Sequence, residues 1–239
     1  MRKLFAVLVM IPVCAIGVFP SEASDPAAAG YGGIIATYGN YAGNNETVDD
    51  GESDALAAIK DELSAGPGGF SDEKAYELEA SFTELGYVVR EGKLGYALRD
   101  LNNDDIPELI ILADDYSISA VYSLVNEAPV LVGAYWSRNS CVIDAAGTLY
   151  ISGSSGAADS SSASYSFRGG DELQLIEMVG VESYDEKTFE TFPEGRYYRI
   201  QNGEKTVIDE EEAGILFKKF PSHYPENPTK DAGLVFVPF

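Results

Sequence analysis

The chain has 239 residues, 45% of them hydrophobic, and a formal net charge of −23. It is therefore long enough to fold around a sizeable core. So acidic a surface repels nucleic acid and anionic membranes and attracts divalent cations, which excludes nucleic acid as a partner.

Residues 1–23 have the pattern of a secretory signal peptide. Two basic residues precede an apolar run from residue 4 to 19, and small residues lead to a cleavage position after Ala23. The apolar run is short for a membrane span, although a retained anchor is the alternative. Cleavage would leave 14 basic and 38 acidic residues and one cysteine, Cys141, so no internal disulfide could form. We therefore expect a secreted or cell-surface protein with no membrane span after cleavage.

Residues 24–70 form a polar, glycine-containing stretch that we interpret as a flexible leader with short helices. Apolar residues recur at helical spacing over residues 31–41 and again over 54–63. A stronger helix is predicted from residue 71 onward, because Ser71 is a suitable N-cap and Gly86 a natural stop.

From residue 94 the pattern predicts strands, and a final helix follows at 209–220. Asn202-Gly203 indicates a hairpin turn, because both residues tolerate a positive φ. The serine-rich stretch 152–166 is interpreted as a mobile loop. The sequence thus predicts an α+β fold, with N-terminal helices followed by an antiparallel β-meander and a C-terminal helix, and residues 71–239 as one domain. The expected strands are apolar or β-branched runs at 94–98, 106–112, 118–125, 129–135, 141–144, 148–151 and 234–237. Two further hairpins are expected, one pairing residues 165–167 with 173–175 and one pairing 197–200 with 206–208.

The stretch RDLNNDDIPELIIL, residues 99–112, places oxygen-bearing side chains at regular spacing before an apolar run. Calcium takes six to eight oxygen ligands, and a short loop can supply most of them. Positions 1, 3, 5 and 9 of such a loop offer side chains, and position 7 offers a backbone carbonyl. The predicted Ca²⁺ ligands at positions 1, 3, 5, 7 and 9 are Asp100, Asn102, Asp104, Ile106 and Glu108.

Two departures from known calcium loops qualify this interpretation. Position 6, where a sharp turn favours Gly, holds Asp105, a residue that tolerates the left-handed region. Position 12, where an EF-hand requires Glu, holds Ile111, so the loop is not an EF-hand and connects two strands instead. A solvated acidic turn that binds no ion is the alternative.

The run from Tyr96 to Leu109 resembles the YALYDINGDGIPELLI signature of secreted proteins and lipoproteins of Gram-positive bacteria whose function is unknown. Its loop is similar to the calcium loops of FG-GAP, integrin-type propeller repeats. The resemblance covers about residues 90–220, and only this first motif is specific. It implies an extracellular, calcium-binding protein with no assigned activity.

A second candidate site follows a predicted strand. Tyr135, Trp136 and Arg138 surround the only tryptophan of the chain, and aromatic faces beside an arginine can form a platform for a sugar or a peptide. A Trp at a strand edge that is partly buried for packing is the alternative.

Catalytic patterns are weak. His223 is the only histidine, no G-x-S-x-G elbow accompanies it, and Cys141 lies in an apolar run typical of a buried residue. Asp114 and Asp115 are the best-placed carboxylate pair for glycoside hydrolysis. The sequence therefore favours a non-catalytic, calcium-stabilised extracellular module that binds a protein or glycan at the cell surface. A secreted hydrolase using paired carboxylates is the alternative.

Overall fold

The structure is a computed structural model that describes residues 29–43, 54–67, 70–156, 159–185, 187–222 and 226–239. The predicted signal peptide and His223 lie outside these residues. Over the described part of the chain, helices precede two antiparallel sheets and a helix follows them, which confirms the predicted α+β class and order of elements.

Three helices form the N-terminal part: α1 (Gly32–Gly43), α2 (Asp54–Ser64) and α3 (Asp72–Arg90). The Ser71 side chain caps α3 by accepting a hydrogen bond from the Lys74 amide, as its position in the sequence predicted. The helix continues past the predicted stop at residue 86 because Val89 extends its buried stripe.

The strands form two sheets, where the sequence had suggested one continuous meander. The first sheet has the order β11-β1-β2-β3-β4, and the second has the order β10-β9-β8-β7-β6-β5. The chain passes from one sheet to the other at a tight turn, where Trp136 and Asn139 form an isolated antiparallel bridge. The strands of the first sheet are β1 (Leu94–Arg99), β2 (Glu108–Ala113), β3 (Ile118–Val125), β4 (Ala128–Ala134) and β11 (Val237–Pro238). Those of the second are β5 (Asn139–Ile143), β6 (Leu149–Gly156), β7 (Asp159–Phe167), β8 (Leu173–Asp185), β9 (Glu190–Gln201) and β10 (Glu204–Val207).

The first sheet is the middle layer of the molecule and is covered on both faces. Strand β2 is buried along its whole length, which explains why its sequence is apolar without alternation. One face, through Leu109 and Ile111, packs against the three N-terminal helices. The other face, through Ile110 and Leu112, packs against the second sheet.

The segment interpreted as a flexible leader supplies part of the core. Tyr31, Ile34, Tyr38, Leu56 and Ile59 are at most 2% exposed, and all belong to the cluster beneath the first sheet. The Tyr38 and Tyr122 hydroxyls are hydrogen-bonded at 2.9 Å inside this core. Both short helices are therefore packed onto the first sheet, because only burial of their apolar stripes makes helices of this length stable.

The serine-rich stretch also differs from the expected mobile loop, because most of it lies in the paired strands β6 and β7. Serines face one another across these strands, as in the 2.8 Å bond between the Ser152 and Ser162 hydroxyls. Helix α4 (Glu210–Phe217) packs on strands β8 and β9 of the second sheet through Ala213 and Leu216. Among the described residues, no helix is long and apolar enough to cross a membrane.

Candidate functional site

The predicted calcium loop is the connection between β1 and β2. Arg99 and Glu108 pair across the two strands, so residues 100–107 form the closed end of the hairpin. The Tyr31 hydroxyl donates a hydrogen bond to the Pro107 carbonyl at 3.0 Å and links the loop to the helical layer. On the side of the second sheet, the turn at Gly169 lies close to Asn102. A Cβ atom added to Gly169 would be 3.3 Å from the side-chain nitrogen Nδ2 of Asn102. The loop therefore lies where the three layers of the molecule meet.

Asp100 organises the loop through its carboxylate. Its Oδ1 accepts hydrogen bonds from the backbone amides of Asn102, Asn103 and Asp104 at 3.2, 2.6 and 3.2 Å, and its Oδ2 accepts one from Asp105 at 2.9 Å. Partial desolvation raises the pKa of Asp100, but these four amide donors outweigh it and hold the pKa below its ordinary value. Asp100 is therefore a charged carboxylate that fixes the loop backbone through four hydrogen bonds.

The next two predicted ligands lie against each other. Asn102 Nδ2 donates to Asp104 Oδ2 at 2.8 Å, and Asn102 Oδ1 accepts from the Asp104 amide at 3.2 Å. The Ile106 amide donates to Asp104 Oδ1 at 2.9 Å. Alternate side chains therefore turn toward the interior of the loop, as the D-x-N-x-D spacing predicted.

The backbone adopts a left-handed conformation at both positions where the resembled signature has glycine. Asn103 has a φ of 61° and Asp105 a φ of 67°. Asn and Asp enter this region at lower cost than most other residues. The glycine-like turn at position 6 is thus formed with Asp105 in place, although whether a Ca²⁺ ion binds there stays a prediction.

Glu108 differs from the other predicted ligands because it is fully buried. Its Oε2 accepts a hydrogen bond from the Leu101 amide at 2.8 Å, and its Oε1 accepts one from the Ser123 hydroxyl at 3.2 Å. Burial raises its pKa from the ordinary 4.5 to about 7, and repulsion from Asp104 and Asp100 adds to this shift while the two hydrogen bonds oppose it.

The donor set is chemically suited to a hard cation. All the predicted ligand atoms are oxygens, and the repulsion that Asp104 and Asp100 exert on Glu108 is the kind of interaction that a bound cation relieves. Over the described residues, no group of three or more His, Cys, Asp or Glu side chains is placed to hold a metal ion. The three predicted carboxylate ligands, Asp100, Asp104 and Glu108, are therefore not gathered as one metal-binding group in this structure.

The second predicted site lies at the turn between the sheets. Trp136 packs edge-on against Tyr76 of α3, with ring centroids 6.2 Å apart, and Arg138 is exposed in the adjoining turn. Tyr135 is only 4% exposed, so it differs from the expected surface platform. Its ring is buried because it packs, together with Val132 of β4 and Cys141 of β5, in the core between the two sheets.

A pocket of about 620 Å³ lies beneath this turn. Trp136 and Tyr135 line it, but Arg138 does not. Its remaining wall comes largely from α3, including Ser81, Glu84 and Tyr87, which the sequence interpretation missed. The available signal was the exposed aromatic side chains Tyr76 and Tyr87 on the polar side of α3, at 64% and 69% exposure.

Of the residues considered for catalysis, Cys141 lines the pocket beneath Trp136, whereas Asp114 and Asp115 line no part of it. Cys141 is buried, and burial raises its pKa to about 12, so it is a neutral thiol as the apolar sequence around it predicted. Asp114 is exposed in the turn between β2 and β3, where Asp115 Oδ1 accepts a hydrogen bond from the Ser117 amide.

No family model matches the chain, and no curated protein does. A search of solved structures finds similarity to a protein described as a Xanthomonas type IV secretion system related protein, at 16% identity and a TM-score of 0.25. The match covers 47% of this chain and 57% of that one. A TM-score this low does not establish a shared fold, so the resemblance to secreted Gram-positive proteins stays a prediction.

Proposed function

We propose that this protein is a secreted, calcium-stabilised extracellular binding module with no catalytic task of its own. The ion would be held by the β1–β2 loop through Asp100, Asn102, Asp104, the Ile106 carbonyl and Glu108. Its role would be to neutralise the carboxylates of the loop and fix the hairpin end.

The loop geometry carries this proposal. Two left-handed residues, Asn103 and Asp105, curl the chain so that Asp100, Asn102 and Asp104 face the same interior. A merely solvated acidic turn needs neither this conformation nor the buried carboxylate of Glu108. In apolar surroundings such a carboxylate is destabilising unless it is protonated or paired with a positive charge.

The partner would bind at the pocket beneath Trp136. Its size lies within the range of about 300 to 1,000 Å³ of ligand sites in proteins. The half-buried Trp136 and the exposed Tyr87 line this pocket, and the exposed Tyr76 packs against Trp136 beside it. Aromatic residues are enriched at binding sites. A protein segment or a glycan at the cell surface suits this surface, whereas anionic partners are disfavoured by the net charge of −23.

Isothermal calorimetry with CaCl₂ tests the metal site. The wild type should bind one ion with a Kd of about 10⁻⁴ to 10⁻³ M, as extracellular modules commonly do. At about 1 mM calcium this affinity corresponds to about 0.4 to 1.4 kcal/mol of added stability, or a rise in Tm of about 1 to 6 °C. Asp104→Ala should abolish both effects, because it removes a predicted ligand.

Two further variants make the calorimetric test specific. Asp114→Ala removes the same charge from an exposed turn outside the loop, and it should bind calcium like the wild type. Asp105→Gly should bind more tightly, because glycine adopts the observed φ of 67° without strain. A wild type with no heat of binding and a Tm unchanged by calcium and chelator contradicts the metal site, and turnover of glycosides or peptides in a broad substrate panel contradicts the non-catalytic assignment.

A further inference from the structure

A second, smaller cavity of about 300 Å³ lies between the start of α3 and the two sheets. Polar and small residues from five elements line it: Glu77 of α3, Gly133 at the end of β4, Asn139 of β5, Gly153 of β6, and Ser161 and Tyr165 of β7. Most of these side chains are half-buried, so the cavity opens to solvent. It is distinct from the calcium loop and from the pocket beneath Trp136, although Tyr135 lines both cavities.

The Tyr135 hydroxyl is buried and has no oxygen or nitrogen hydrogen-bond partner among the described residues, and only the Cys141 thiol is close enough for a weak side-chain hydrogen bond with it. It lies over Gly133, where an added Cβ would be 2.6 Å from the hydroxyl oxygen. Glu77 and Tyr165, which line the small cavity, are among its electrostatic neighbours. The Cys141 thiol is another, but a thiol is a weak hydrogen-bonding group. Leaving a buried hydroxyl without a strong hydrogen-bond partner costs folding free energy. Because this hydroxyl lies at a cavity, its position points to a ligand that forms the missing hydrogen bond.

Glu77 supplies an acceptor at the same cavity. Burial raises its pKa, and repulsion from Glu73 adds to the shift, while the Ala134 amide donates a hydrogen bond to the carboxylate and Lys74 attracts it. One backbone amide leaves most of the acceptor capacity of a carboxylate free. A ligand that donates hydrogen bonds would therefore be held by Glu77.

The mixture of groups defines the class of ligand. The Tyr135 hydroxyl and the Asn139 amide both donate and accept, and Glu77 accepts. A sugar hydroxyl can donate to one such group and accept from another, whereas an ammonium ion only donates and would leave the donors of the cavity unpaired. The Tyr165 side chain adds an apolar ring face with a polar tip. The cavity is at the lower end of the size range of ligand sites, which suits one sugar ring better than a chain.

We propose that the cavity bounded by Glu77, Tyr135, Asn139 and Tyr165 binds a single neutral monosaccharide unit, free or at the end of a glycan. The Tyr135 hydroxyl and the Glu77 carboxylate are its central contacts. This inference rests on the proposed function as a binding module and names the ligand class.

Saturation-transfer NMR on the full chain, with the methyl glycosides of glucose, galactose and N-acetylglucosamine as probes, tests the proposal. At least one glycoside should show transfer from the protein, while methylammonium should not compete with it. Tyr135→Phe should weaken binding by about fivefold to tenfold, since it removes one hydrogen bond. The same variant should be as stable as the wild type or more stable, because the hydroxyl it removes has only a weak partner in the free protein.

Tyr41→Phe is a matched control. The Tyr41 hydroxyl is also buried without an oxygen or nitrogen partner among the described residues, but it lies in the core beneath the helices and lines neither cavity. This variant should keep full glycoside binding. Absence of transfer from all three glycosides, competition by methylammonium, or equal binding by the two Tyr→Phe variants overturns the proposal. Calcium titration of the same sample separates the two ideas, because binding of calcium without any sugar defeats only this inference, and binding of sugar without calcium defeats only the metal site.

Discussion

At the scale of single residues, the loop combines two carboxylates of opposite behaviour. Asp100 accepts hydrogen bonds from four backbone amides, which hold its pKa below the ordinary value. Glu108, eight positions later, is buried, and its pKa is raised to about 7. The spacing of oxygen-bearing residues identified both as candidates. It could not distinguish them, because burial of Glu108 depends on Ser123 and Leu101, which converge on it only in the folded protein.

Glu108 makes the stability of the calcium-free protein depend on pH. Its folded pKa of about 7 lies above its ordinary value of 4.5, so the folded state holds the proton more tightly and loses stability as the pH rises from 4.5 through 7. Glu108→Gln should therefore raise the free energy of unfolding by about 1 to 3 kcal/mol near pH 8 and change it little near pH 4.5. Urea unfolding in chelator at both pH values measures the difference.

Both hydrogen bonds of residue 108 can persist in this variant, since a Gln oxygen can accept from the Leu101 amide and its nitrogen can donate to Ser123. Saturating calcium should reduce the advantage of Gln, because a nearby cation lowers the pKa of the carboxylate. A variant that is less stable than the wild type near pH 8 in chelator would refute this account of Glu108.

At the scale of elements, the short strand β11 pairs with β1 and forms one edge of the first sheet. Gly95 permits this approach, because an added Cβ would overlap the Val237 carbonyl oxygen and the Phe236 ring. The Phe239 amide donates to the Leu94 carbonyl at 3.2 Å and secures the chain end. The edge of β1 is thereby covered, which protects it from pairing with other chains.

Gly95→Ala should displace β11 and lower the free energy of unfolding by about 1 to 3 kcal/mol, as overpacking commonly does. Hydrogen exchange should show faster exchange for the amides of residues 236–239 than in the wild type. Gly214→Ala is the matched control, because Gly214 lies within α4 with no atom near its Cβ position. That change should instead add about 0.5 to 1 kcal/mol. Unchanged exchange at the C-terminus of Gly95→Ala would refute the role of Gly95.

Sequence patterns located the helices and strands that bury one face or all of their residues, because such burial leaves a clear hydrophobic pattern. The apolar runs at β2 and β3 and the capped helix α3 fell where they were expected. The apolar start of β6 and the aromatic end of β7 were expected as strands, but their serine-rich parts were missed because small polar side chains carry no hydrophobic alternation. Pairing with neighbouring strands holds these parts in the sheet. The division into two sheets was also missed, since a turn within one sheet and a turn between two sheets have similar local sequences.

Neither cavity could be predicted. Each combines side chains from α3 with side chains from strands 30 or more residues away, and only tertiary packing brings them together. The loop between β1 and β2 could be proposed as a calcium site from the sequence because all its predicted ligands lie within nine consecutive residues.

At the scale of the whole molecule, the helical layer is part of the core of the protein. Removing α1 and α2 would expose the apolar face of the first sheet, including Tyr122 and Leu131, which now pack against them. The buried side chains of these helices are among the largest in the protein, and each apolar side chain contributes about 1.5 to 3 kcal/mol when it is buried. The two helices have six such buried side chains, so their summed contribution is comparable to the total stability of an ordinary domain.

A chain that begins at residue 71 should therefore lack a cooperative thermal transition. A chain that begins at residue 24 retains both helices and should melt cooperatively, like the full chain. Near-UV circular dichroism during heating distinguishes the two, because it reports fixed packing of the aromatic core. A cooperative transition in the shorter chain within a few degrees of the longer one would show that residues 71–239 fold without the helices.

The strand order has a consequence for the order of folding. Apart from one pair, every neighbouring pair of strands is consecutive in the chain, so most of both sheets can form as local hairpins with short loops to close. The exception is β11, which must return from the end of the chain to β1. Among the described strand pairs, that contact closes the longest loop, so the topology places the docking of β11 among the last folding steps. Until then the edge of β1 stays open, which makes the interval before docking the period of greatest exposure to aggregation.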